Sequence, residues 1–426
     1  MLGLPTIDRR WPPSTTMQAA THHHHQQAPC AASPNMENRH TYTHLTYSRH
    51  HLVDIAMETI KIAENGEYTN SKGHAVCLKG DLDWAVEHCS HYGDEFDFNE
   101  ALRKFDDDRE KGNFDRILNK PPSHRFQRTD FLVVSASWLE AASELLNAST
   151  KIPFPRTDST DYSPAGTSNI NNYIRVGVLN SASGTTPGGR FLKGTVSQED
   201  CLCRASLLYS CISQPKFQSE GRFYGKNRSL KYGSSNCVIF SPDVPVIRED
   251  TVEGKLLDKY QKVSFVTIPA PNAFTTSSNT GKEYNDNEGE HSRKTSMSIS
   301  TSVVDLSILS SADDIDFNVK FEEKRLALLA SLSDRIHRAL AAFVLGNCTD
   351  LVLPAFGCGV HGNDPSMVAS VFRNMLTDPQ QFGGRFRTVV FAIPPSRKHN
   401  YQAFAAYFQK KEAMKKPQLT RGVSVQ

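Results

Sequence analysis

The chain has no long apolar run. Its longest, Ala339–Leu345, is far short of the roughly 20 residues that cross a bilayer, so a membrane-spanning helix is not expected. The opening residues, Met1 to Arg10, do not form the apolar core of a secretory signal. Cys-x-x-Cys pairs and Cys/His zinc spacings are also missing. The nine cysteines are scattered singly, and Cys201 and Cys203 stand too close for an ordinary bridge. Single thiols in odd number suit a reducing compartment, so an intracellular protein, cytoplasmic or nuclear, with no metal centre is expected. An excess of charge of one sign is lacking as well. With 48 Lys and Arg against 46 Asp and Glu, a net of 2, bulk charge points neither to nucleic acid nor to an acidic membrane. The nucleotide P-loop is absent too. Gly189 and Gly194 have its glycine spacing, but Thr195 stands where the phosphate-reaching lysine is required.

What is present is an alternation of short apolar runs and amphipathic segments, which indicates an α/β domain. Residues 1–47, rich in Pro, Thr, Gln, Asn and His, are expected to be a disordered tail, with His22–His25 a solvated tract. The domain is expected over 48–409, with insertions at about 148–170 and 275–314, and a C-terminal tail at 410–426. Leu52, Ile55, Ala56, Thr59, Ile62 and Ala63 keep helical spacing up to a Gly66 stop. Strands are expected at 75–78, 131–134, 174–179, 237–240, 263–268, 351–355 and 388–393. Ser137 and Glu140 form a capping box for a helix running through Leu146. A long helix is expected from about Glu322 to Leu345, with Leu326, Leu329, Ile336, Leu340 and Phe343 on its apolar side, and a last one around Tyr401–Phe408.

Two stretches carry chemistry. In the first, the strand Ile174–Leu179 runs into Asn180 and the glycine turn Gly188-Gly189-Arg190. Gln198-Glu199-Asp200 follows, opening a helix whose face holds Leu202, Ala205, Ser206 and Tyr209. A glycine loop before a helix N-terminus offers backbone N–H groups to phosphate, and two carboxylates beside it suit cleavage of a sugar bond. In the second, a strand runs into Phe356-Gly357-Cys358-Gly359-Val360-His361-Gly362-Asn363-Asp364-Pro365. Asn363 or Asp364 can cap the next helix, and Pro365 fits its first turn. For each loop the plainer alternative is a tight turn between strand and helix.

The string from Val178 to Arg204 resembles the signature of the microbial-type poly(ADP-ribose) glycohydrolases, a Gly-Gly-Gly loop followed by Gln-Glu-Glu and a helix beginning Leu-Cys-Arg. The helix around Ile55–Tyr68 and the loop Gly357–Asn363 resemble further parts of the same family. The resemblance implies a macrodomain-like, three-layer α/β/α fold with a mixed sheet and an N-terminal helical extension. It implies ADP-ribose or ADP-ribosylated protein as partner, and no cofactor. Glu199 and Asp200 would be catalytic, with Gln198 and Glu199 holding the distal ribose and Asp200 giving the proton. Asn180, Gly188, Gly189, Arg190, Gln198, Gly357, Cys358, Gly359, Val360, His361, Gly362 and Asn363 would bind ADP-ribose. This chain departs from the pattern at Arg190 (third glycine), Asp200 (second glutamate) and His361 (a phenylalanine). An arginine there can pair with phosphate, and a histidine can stack or titrate near neutral pH. The function implied is removal of ADP-ribose from poly- or mono-ADP-ribosylated substrates. The alternatives are a module that binds ADP-ribose without cleaving it, and a pocket for another nucleotide sugar or phosphate ester.

Overall fold

Five of the expected apolar runs become inner strands of one sheet, covered on both faces by helices, whereas 131–134 forms an edge strand and 75–78 joins a separate small antiparallel pair. The computed structural model describes residues 48–110, 126, 128–149, 174–230, 233–274 and 312–409. The expected tails, and most of both expected insertions, lie outside them.

In chain order, α1 (Arg49–Asn65) precedes a small antiparallel pair, β1 (Glu67–Thr69) and β2 (Ala75–Cys77). Next come α2 (Lys79–Glu87), β3 (Ser90–Tyr92), α3 (Phe98–Glu110), β4 (Asp130–Val134) and α4 (Trp138–Ser149). β5 (Val176–Ser181) leads into α5 (Gln198–Ala205), α6 (Leu208–Ile212) and α7 (Phe223–Ser229). Two long strands follow, β6 (Val238–Arg248) and β7 (Leu256–Ile268). The chain continues with α8 (Ala312–Leu345), β8 (Asp350–Leu353), α9 (Pro365–Thr377), β9 (Thr388–Ala392) and α10 (Lys398–Phe408).

Seven strands form a mixed sheet in the order β3-β6-β7-β5-β8-β9-β4. β7, β5, β8, β9 and β4 run parallel, while β3 and β6 complete one edge antiparallel. Successive strand residues face opposite layers. Val176, Val178, Val352 and Val390 pack with α1, α2 and α4–α7. Leu179, Leu351, Leu353 and Phe391 pack with α3, α8, α9 and α10. The result is a three-layer α/β/α domain. Phe343 of α8 shows how close the layers come: a Cβ on Gly177 of β5 would lie 2.6 Å from its ring. Burying such a phenylalanine contributes about 1.5–3 kcal/mol.

The first helix ends where its sequence says, with Gly66 left-handed at φ 75° and its N–H on Ile62 O. Several expected elements differ. The helix expected from Gln198 through Tyr209 breaks at Ser206, which is extended and bridges Val246, while Leu207 N donates to Pro245 O. Pairing with β6 outcompetes the helical pattern there. β6 and β7 are far longer than the expected runs, because a register shift between Ser241 and Val244 carries β6 past its prolines. α8 starts ten residues earlier than expected, at Ala312, inside the segment read as an insertion. Its buried stripe runs through Leu328, Leu332, Ile336 and Leu340, and Leu326 is left 55% exposed. α4 likewise runs past Leu146 to Ser149. The stretch before Asp108, whose periodicity is weak, holds α2, β3 and α3. Among the described residues, no helix is long and apolar enough to cross a membrane.

Candidate active site

β5 ends at mid-sheet, and its last two residues begin the site. Asn180 is fully buried, and its Nδ2 donates to Thr267 Oγ1 at 3.2 Å and to Glu199 Oε1 at 3.4 Å. The chain then turns through Gly188 and Gly189, left-handed at φ 69° and 59°, a conformation that disfavours a side chain. A 3-10 turn at Phe191–Lys193 precedes α5. There Ser197 and Asp200 form a reciprocal cap: Ser197 N donates to Asp200 Oδ2 at 2.7 Å, and Asp200 N to Ser197 Oγ at 3.4 Å. Thr59 Oγ1 of α1 donates to Arg204 O at 2.8 Å, seating the N-terminal helix against α5.

The first loop's N–H groups are taken by the carboxylates that follow it. Ser183 N donates to Glu199 Oε2 at 2.7 Å, and Gly188 N donates to Glu199 Oε1 at 3.2 Å. Arg190 N donates to Asp200 Oδ1 at 2.8 Å, and Ser181 N to Gln198 Oε1 at 2.9 Å. This corrects the expectation of a free phosphate cradle at Gly188-Gly189, because N–H groups of this loop are held by the carboxyl groups of Glu199 and Asp200. Arg190 contributes through its backbone, and its side chain is exposed. Glu199 is 2% exposed, and burial pushes its carboxyl up to about 8. The charge of Asp200 pushes the same way, while the bonds from Ser183, Asn180 and Gly188 pull against it. A proton held by Glu199 at neutral pH is the result.

The second loop differs. Its ends are tied down: Asn363 N donates to Gly357 O at 3.1 Å, Asn363 Nδ2 to Pro271 O at 3.0 Å, and Ala273 N to His361 O at 2.9 Å. A Cβ on Gly357 would fall 2.2 Å from Asn363 Nδ2. Gly357 and Asn363 therefore act as packing residues, and Asp364 supplies the cap of α9 by accepting Met367 N at 2.7 Å. Among the described residues, the N–H groups of Gly359, Val360 and His361 meet no acceptor. Gly359 has nothing within 4 Å of a Cβ position, and Val360 is 84% exposed. Open N–H groups of the kind expected at the first loop are thus found at the second. Burial, and after it the charge of Arg335, lower the His361 pKa, which favours the neutral imidazole.

Above the C-terminal ends of β5, β8 and β9 lies a cavity of about 410 Å³. Of the residues proposed from sequence, Gln198, Gly357, Gly359, Val360 and His361 line it. Asn180, Gly188, Gly189, Arg190, Glu199, Asp200, Cys358, Gly362 and Asn363 are not on its wall, and Glu199 and Asp200 sit behind the first loop. Leu52, Trp138, Val252, Arg397 and Asn400 are among the other wall residues, and none of them is expected from the sequence. The available signal was positional, since Trp138 and Arg397 follow the ends of parallel strands, where ligands gather. Trp138 is 9% exposed, and its Nε1 has no partner among the described residues. A larger cleft, of about 550 Å³, beside Thr69–Ser71 and Arg248–Asp258 contains neither loop. Its buried cation, Arg248, is already held by Glu58 at 2.7 Å. Among the described residues, no three His, Cys, Asp or Glu side chains converge as metal ligands would.

The family model of the microbial-type PARG catalytic domain matches residues 56–249, the span that holds the first loop and both acids. No curated protein matches the sequence. The fold as a whole resembles that of the poly(ADP-ribose) glycohydrolase from Thermomonospora curvata. Identity is 28% and TM-score 0.55, over 84% of this chain and 100% of that one. The same enzyme bound to the inhibitor ADP-HPD gives 28% and 0.54, over 84% and 99%. The Deinococcus radiodurans enzyme in complex with ADP-ribose gives 26% and 0.51, over 78% and 99%. The structural likeness covers more of the chain than the family match, which ends at residue 249, before the second loop.

Proposed function

We propose that this chain is an ADP-ribose hydrolase that releases ADP-ribose from poly- or mono-ADP-ribosylated protein, with Glu199 as the proton donor. The observation that carries the reading is the cavity at the strand ends. It joins an anion nest at Gly359–His361 to the α5 start, in a fold shared with PARG enzymes solved with ADP-ribose and ADP-HPD. The nest would take the diphosphate.

Glu199 suits the acid role because burial holds its carboxyl up to about 8, so that it has a proton to give at neutral pH. The Glu199 carboxyl would give its proton to the leaving oxygen as the bond to the anomeric carbon breaks. Water would then add to that carbon and return a proton to the carboxylate. For this, the N–H groups of Ser183 and Gly188 must release Glu199, so substrate entry includes a shift of the first loop.

The test is incubation of the native protein, Glu199→Gln and Asp200→Asn with poly- and mono-ADP-ribosylated protein, following released ADP-ribose, with calorimetry on free ADP-ribose alongside. Glu199→Gln is expected to bind and not to turn over. Binding without release by the native protein would make it a reader of ADP-ribose marks. No binding at millimolar ADP-ribose would remove the pocket reading altogether.

A further inference from the structure

Among the described residues, Arg175, Arg204, Arg248 and Arg335 are buried arginines. Arg175 pairs with Asp243 at 2.6 Å and Arg248 with Glu58 at 2.7 Å, while Arg204 stands one turn after Asp200 on α5. Arg335 of α8, 3% exposed, is different, for its guanidinium donates to neutral acceptors alone. Nε donates to Asn236 Oδ1 at 2.9 Å, and Nη1 donates to Ser234 Oγ at 2.7 Å and to Pro269 O at 2.9 Å. Nη2 donates to Ser234 O. The acids around it are engaged elsewhere: Asp334 pairs with Arg338 at 3.1 Å, and Asp94 with Lys226 at 2.6 Å. The N–H groups of Arg335 are thus satisfied, yet its charge is buried without a carboxylate, which is costly.

This charge is tied to the second loop. Pro269, which accepts from Arg335, begins the segment 269–273, and that segment holds the loop along its length. The Ala270 side chain lies 2.8 Å from where a Cβ on Gly357 would be. Pro271 O accepts Asn363 Nδ2 at 3.0 Å, and Ala273 N donates to His361 O at 2.9 Å. Arg335 therefore anchors the segment on which the open N–H groups of Gly359, Val360 and His361 depend.

We propose that Arg335 is a positioning residue for the diphosphate of the ligand: it fixes segment 269–273 behind the second loop and supplies, from the interior, a positive charge that the bound anion compensates. The inference rests on the ADP-ribose reading above and adds a source for the attraction. A charge held in the interior is screened less than one at the surface, so it acts on an anion at the loop with little loss to solvent. Burial lowers the Arg335 pKa to about 10, which leaves it protonated at neutral pH. Its charge also helps to lower the His361 pKa, as expected if its field reaches the loop.

The test gives Arg335 the carboxylate it lacks. Ser234→Asp places one against Nη1, Ser234→Asn is the neutral control of the same shape, and calorimetry measures ADP-ribose binding to each full chain. Ser234→Asp should bind about ten-fold more weakly than the native protein while melting no lower, and Ser234→Asn should stay within about two-fold of native. Arg335→Gln should weaken binding at least as much, and Arg335→Lys, which keeps the charge, should restore most of the affinity. Native affinity in a folded Ser234→Asp would overturn the proposal and leave the ADP-ribose reading standing. Equal weakening in Ser234→Asn would also overturn it, since shape and not charge would be responsible. If Ser234→Asp does not fold, the two substitutions of Arg335 decide, and equal affinities there overturn the proposal. No binding by the native protein would remove the ADP-ribose reading and this inference with it.

Discussion

Replacing Glu199 by glutamine tests the central electrostatic claim, because the two side chains have the same shape and only one can ionise. In the folded protein the Glu199 carboxyl holds its proton up to about 8, against 4.5 for an ordinary glutamate. The difference, 8 − 4.5, is about 3.5 pH units, and at about 1.4 kcal/mol per unit it makes ionisation in place cost about 5 kcal/mol. Between these values the folded state keeps a proton that the unfolded chain has lost. The contribution to stability is therefore fully present at low pH and is lost as pH rises through about 8. Glutamine has no such slope. Urea unfolding of the native protein and Glu199→Gln, at steps from about pH 5 to 8, should show the native protein losing about 1.4 kcal/mol per pH unit relative to the variant. A difference that stays constant within about 1 kcal/mol across that window would refute the reasoning. It would mean that the N–H groups of Ser183 and Gly188 hold an ionised carboxylate. Native turnover should in turn decline above about pH 8, as the donor proton is lost.

Asp200→Asn keeps one accepting oxygen of the cap, so it should cost about 1–2 kcal/mol in unfolding free energy and leave turnover within about ten-fold. Lost turnover with an intact melt would return the acid role to Asp200. Gly359→Val places its side chain where nothing lies within 4 Å, so melting should hold while calorimetry shows ADP-ribose affinity reduced by about ten-fold or more. Gly188→Ala should instead lower stability by about 1–3 kcal/mol, since its Cβ, at φ 69°, would meet the Phe191 and Tyr209 rings at 3.0 Å. Arg387→Met would strip a fully buried Asp350 of both guanidinium bonds, each 2.9 Å long. A loss of about 3–5 kcal/mol is expected by chemical denaturation.

Much of the frame is legible along the chain, because it depends on neighbours in sequence. Strands buried on both faces must be apolar runs, and a helix start needs a cap within three residues. Thus Val176–Leu179, the Ser137–Glu140 box and the Gly66 stop can be read directly. The glycine loops and the acidic pair are visible for the same reason. Their division of labour is not. Gly188 and Gly359 look alike as letters, yet the N–H of one is closed onto Glu199 while that of the other meets no acceptor. The break at Ser206 and the wall residues Leu52, Trp138 and Arg397 are likewise invisible locally. Each is set by segments far apart in sequence, which only the packed sheet brings within hydrogen-bond reach. By itself, the sequence determined which strands and turns could form and which acids stand beside them. Tertiary structure alone decided which loop stays open to an anion and which carboxyl is buried deeply enough to keep its proton, because desolvation and hydrogen-bond partners depend on the neighbours that folding supplies.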